Sequence, residues 1–188
     1  MPSSPVANPA IHLATEKEQE IDRLIHSLRR EIASKHRIEC WSLGGDMVDR
    51  VESVGGFFVA VREGSHEEAR ATLVDIAETL LKAFNSSEKM RPYLAEFPLS
   101  VDRLKLEMDF RTGNYSYYRN RSTERVTLDG GEVVYYQGIS LDDRKMGEPS
   151  VQVYATESYE EALEKAKAPP EKSSIFLNLL KAIKSRIY

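Results

Sequence analysis

One cysteine among 188 residues can form no internal disulfide, so the chain is not a disulfide-stapled scaffold. Histidine is scarce too, with only His12, His26, His36 and His66. None of the four stands in a Gly-rich turn or beside a recognisable nucleophile. The CxxC and HxxxH pairs of a tetrahedral zinc site are missing. So are the GxxxxGK[ST] phosphate cradle and the calcium-loop spacing of an EF-hand. No run approaches the ~18 continuous apolar residues of a membrane-spanning helix. No repeat recurs at the period of a solenoid or propeller. A basic excess is also lacking. The 26 Lys+Arg against 30 Asp+Glu leave a net charge of −4. That argues against a protein built wholly around nucleic acid.

What remains is an ordinary globular composition. Hydrophobic residues make up 41% of the chain, and a chain of this length can bury a sizeable core as one domain. Residues 1–14 hold three Pro and two Ser without any period, and read as a flexible arm. They lack the charged start and apolar run of a secretory leader. The expectation is therefore a cytoplasmic protein with a single domain over 15–188.

Helical periodicity is clear in three places. Thr15 and Glu18 form a capping box before Ile21, Leu24, Ile25, Leu28 and Ile32, an apolar stripe at helical spacing. Ser65 and Glu68 repeat the box before Ala69, Leu73, Ile76, Ala77, Leu80 and Phe84. Ser158 and Glu161 open a shorter helix that ends before Pro169-Pro170. A last helix is expected over 171–187, with Ile175, Phe176, Leu179, Leu180, Ile183 and Ile187 on one face. It offers a surface for a homodimer.

Strand signals fill the second half. Leu104, Leu106, Met108 and Phe110 alternate with Lys105, Glu107, Asp109 and Arg111, which predicts a half-buried antiparallel strand. Thr112-Gly113-Asn114 is turn chemistry, and Tyr115–Asn120 reads as the returning strand. Val126–Leu128 and Val133–Tyr136 flank Asp129-Gly130, a strong hairpin signal. Val151, Val153 and Ala155 supply another strand. GFFVAV (56–61) reads as a buried strand, and 46–53 as a helical turn or two. The expected fold is α+β, with an antiparallel sheet of about five strands and helices packed on one face. No motif identifies a family.

Chemistry is thinner. Cys40, with His36 before it and Trp41 after it, is the one thiol constellation, and reads as a free cysteine beside a core tryptophan. Asp46 and Asp49 would face the same way on a helix. Asp142, Asp143 and Arg144 sit in SLDDRKMGEP (140–149), a polar loop longer than a tight turn needs. Three Asn-x-Ser sequons, at Asn85, Asn114 and Asn120, fall in predicted turns or strand ends and carry no argument.

The segment RTGNYSYYRNRSTER (111–125) is more suggestive. It interleaves Tyr115, Tyr117 and Tyr118 with Arg111, Arg119, Arg121 and Arg125. Residues 103–125 hold six basic and three acidic side chains, net +3, against −7 for the rest. On an extended strand Tyr115, Tyr117, Arg119 and Arg121 share one face. Tyr and Arg dominate interface hot spots. The leading expectation is a non-enzymatic module that binds a protein or peptide through its sheet and this strand, with no cofactor and no metal. Its candidate binding residues are Tyr115, Tyr117, Arg119, Arg121, Asp142, Asp143 and Arg144. The alternative is a small-molecule binder or hydrolase with a pocket between sheet and helices, using Asp142, Asp143 or Cys40. Single-stranded nucleic acid on the Tyr/Arg strand ranks last.

Overall fold

The computed structural model describes residues 16–47, 49–114, 123–138 and 151–168. In chain order these form α1 (Glu16–His36), β1 (Glu39–Met47), β2 (Val51–Ala60), α2 (His66–Ser86), β3 (Leu104–Phe110), β4 (Thr123–Asp129), β5 (Glu132–Gly138), β6 (Val151–Ser158) and α3 (Tyr159–Lys167). Two 3-10 turns, Arg91–Tyr93 and Val101–Arg103, lie between α2 and β3. All six strands join one sheet in the order β1-β2-β3-β4-β5-β6. The fold is α+β, and the sheet is mostly antiparallel.

Two details differ from the sequence expectation. The described residues form six strands, and β2 pairs with β3 in parallel. A parallel neighbour needs a crossover of a dozen or more residues, and α2 supplies it. The stretch 46–53 is not helical either. It belongs to the β1–β2 hairpin, with Gly44 opposite Gly55 and Leu43 opposite Gly56. Four glycines erase the side-chain alternation by which a strand is recognised. Gly56 has a packing reason, since a Cβ there would fall 2.8 Å from the Phe58 ring and 3.1 Å from Leu43 Cδ1.

The helices form one layer. α1 packs on β1, α2 on β3 and β4, and α3 on β5 and β6, with α2 touching both other helices. Their apolar stripes close on the inward faces of the strands. Ile21, Ile25, Leu28 and Ile32 from α1 meet Leu73, Ile76, Ala77, Leu80 and Phe84 from α2 in one core with Phe58, Leu106, Met108, Phe110, Val126 and Tyr135. Asn85, at the end of α2, accepts from the Leu99 amide at 2.7 Å and donates to the Leu99 carbonyl at 3.0 Å, pinning the loop that returns to β3. The β4–β5 hairpin turns on Gly130 and Gly131, both with positive φ, which suits the right-handed twist of the strands it joins.

Candidate functional site

The candidate binding residues Tyr115, Tyr117, Arg119, Arg121, Asp142, Asp143 and Arg144 lie outside the described residues, as does the helix expected over 171–187. The sheet nevertheless places where their segments attach. One leaves after Asn114 beyond β3 and rejoins at Thr123 of β4. The other leaves after Gly138 of β5 and rejoins at Val151 of β6. Because these strands are antiparallel, both segments attach at the same end of the sheet. β2 runs parallel to β3, so the start of α2 reaches that end too. His66 at the start of α2 and Glu124 at the start of β4 lie near that end, whereas Glu157 lies opposite Val133, towards the β4–β5 turn.

On the side away from the helices, Asp109 is completely buried and accepts from Arg111 Nε at 3.0 Å and Arg125 Nε at 2.7 Å. Arg125 also lies 3.0 Å from Glu107. Arg111 reaches over the Trp41 ring, with its guanidinium carbon 5.6 Å from the ring centroid. Trp41 stands edge-on to Phe57 at 5.5 Å and is 48% exposed. That corrects the expectation of a core tryptophan. The register of β1 shifts between Cys40 and Ser42, so Trp41 is the extra residue of a bulge and turns outward. Beside it runs a groove of about 500 Å³ lined by Ser42, Gly44, Gly55, Phe57, Lys105 and Glu107.

Glu124 occupies a second bulge, between Thr123 and Arg125. Its carboxyl rests over Gly138, where a Cβ would collide with it. The side chain is 2% exposed, and among the described residues Oε2 has no hydrogen-bond partner. Burial, with the neighbouring Asp109 charge, raises this carboxyl to about 7.

On the helix side, Glu157 is the hub. It accepts from Arg70 Nε at 2.7 Å, Lys165 Nζ at 2.6 Å and the Tyr135 hydroxyl. Burial alone would raise its carboxyl. The three donors outweigh burial and hold it at about 2. Arg70 also contacts His66 Nε2. An arginine only donates, so Nε2 accepts and the ring proton sits on Nδ1. That proton goes to the Tyr154 hydroxyl at 2.9 Å, which in turn meets Thr123 Oγ1 at 2.6 Å. Burial, with the nearby Arg70 charge, lowers His66 below the usual histidine range.

The remaining sequence candidates are dispersed. His36 faces Asp75 at 2.8 Å rather than the thiol of Cys40. Cys40 donates to the Ser42 carbonyl, and burial pushes its thiol up. Asp46 belongs to β1, whereas Asp49 sits in the hairpin turn, so they do not share a helix face. His26 is exposed on α1. Among the described residues no group of three or more His, Cys, Asp or Glu could hold a metal ion. A second groove, of about 700 Å³, is lined by α1 and α2 alone, so neither groove lies between sheet and helices.

Sequence reasoning missed Trp41, Arg70, Glu124, Tyr154 and Glu157. Glu157 carried a signal, an acidic residue in step with the apolar positions Val151, Val153 and Ala155. Glu124 and Trp41 carried none, because a bulge leaves no mark in the residue pattern. No known family model matches the chain, and neither a characterised protein nor a solved structure shows significant similarity to it.

Proposed function

We propose that this chain is a non-enzymatic module that binds a protein or peptide on the outer face of its sheet. One observation carries the reading. Trp41 is half-exposed, braced edge-on by Phe57 and overlaid by Arg111, beside a glycine-floored groove. Trp and Arg are the residues most enriched among interface hot spots. Glycine at Gly44 and Gly55 lets a partner approach the strand backbone closely. Lys105 and Glu107 on the rim offer one charge of each sign. The Tyr/Arg-rich segment begins at Tyr115, four residues after Arg111 in the sequence.

The test begins with a photo-crosslinker at position 44, on the groove, to capture the natural partner covalently. The purified partner is then titrated against the wild type and Trp41→Ala. Binding at least ten-fold weaker at unchanged Tm is expected. Equal affinity for both proteins would refute the outer-face site.

A further inference from the structure

Glu124 stands out among the buried groups because no described residue beside it offers its carboxyl a compensating charge. Its carboxyl is folded into a slot that exists only because Gly138 has no side chain. Oε2 is buried without a partner among the described residues. From β3 it faces the Asp109 carboxylate, with Glu107 on the same strand and Arg111 just past its end. On its own strand Arg125 follows it. From β5, Tyr136 precedes Gly138, and from β6 the partner of Gly138 is the uncharged Val151. Both guanidiniums point at Asp109. Among the described residues the two guanidiniums thus serve Asp109, and none compensates Glu124.

We propose that Glu124 is a proton-operated latch on the outer sheet face. Protonated, it stays folded over Gly138 and closes the β4–β5 bulge. Ionised, it cannot share a buried site with the Asp109 carboxylate, and it swings out toward solvent. The geometry makes that movement cheap. Glu124 is the unpaired residue of its bulge, so leaving the slot breaks no ladder bond. Gly138 presents no side chain to block the way. The free-energy gap between the two carboxyl states is set by burial and by the like charge, which together bring the midpoint to about 7. The latch lies on the proposed docking face, but its action needs no partner.

The full chain, labelled with 13C and 15N, is titrated from pH 5 to 9 by NMR. The Glu124 carboxyl carbon and the Gly138 amide should move together with a midpoint near 7. Glu124→Gln should abolish the Gly138 transition and leave the bulge closed throughout. Gly138→Ala should fill the slot and return Glu124 to the ordinary carboxylate range. A Glu124 carboxyl that titrates in that range in the wild type overturns the latch. So does a Gly138 transition that survives Glu124→Gln. The wild-type titration alone decides the matter if either variant fails to fold.

Discussion

Arg70 and Glu157 join the second turn of α2 to the last strand of the sheet, with Nε 2.7 Å from Oε1 and side-chain exposures of only 14% and 5%. A buried pair is weak evidence for net stability, but removing one partner strands the other charge. Arg70→Ala should therefore destabilise the protein by roughly 3 kcal/mol in urea unfolding. A loss under about 1 kcal/mol would show that Lys165 and Tyr135 suffice for Glu157.

Acid should act on the same hub. The Glu157 carboxyl lies at about 2 in the folded chain, below its ordinary 4.5. The unfolded chain takes up the proton first, so this stabilisation is complete above pH 4.5 and is lost as pH falls towards 2. Its full size is about 3 kcal/mol by proton linkage. Glu157→Gln should flatten the fall in stability between pH 4.5 and 2. A slope equal to the wild type's would place the acid sensitivity elsewhere.

His66 should titrate below the usual histidine range and carry its proton on Nδ1. Its folded value is lowered, so the stability it contributes is present above the unfolded value of 6.5 and fades as pH drops below it. Nitrogen-detected NMR can read both the tautomer and the midpoint. An Nε2-protonated ring would contradict the contact with Arg70.

Two glycines of the first hairpin should respond differently to a methyl group. Gly44→Ala meets nothing within 4 Å and should change stability by no more than about 0.5 kcal/mol. Gly56→Ala must displace Phe58 and should cost about 1–3 kcal/mol. Thermal unfolding of the two variants gives the comparison, and equal values would mean that Phe58 yields freely.

Replacing Tyr115, Tyr117 and Arg119 together by Ala should weaken partner capture at least ten-fold while Tm stays nearly constant. Loss of folding instead would assign these residues to the core.

Local signals carried most of the fold. The stripes of α1 and α2, the alternation of β3, the Gly turn between β4 and β5, and the box at Ser158 all follow from contacts within a few residues. The capping box at Ser158 and Glu161 forms reciprocally, as its spacing predicts. At Ser65 only half of the box forms. Glu68 turns to Arg62 instead, at 2.7 Å, because a charged partner outcompetes a backbone amide. What escaped the sequence was non-local. Parity reverses at the bulges, so Val153 faces out at 51% exposure while Ala155 faces in, although both read as one apolar row. The same slip hides Trp41 and Glu124. The buried charges escaped because Arg70 and Glu157 meet across 87 residues.

The parallel junction of β2 and β3 also bears on how the chain folds. Val54 lies opposite Leu104 and Ala60 opposite Phe110, so this one seam joins residues about fifty apart. Every other described strand pairing is antiparallel. The sheet therefore divides into an N-terminal hairpin and a C-terminal meander, and closing the seam is the long-loop step that topology makes slow. α2 is the piece that spans it. Truncating a buried α2 residue such as Leu73 should slow folding, whereas truncating Leu43 in the hairpin should mainly hasten unfolding. The helix that carries the Arg70 hub would then also set the pace at which the two halves of the sheet meet.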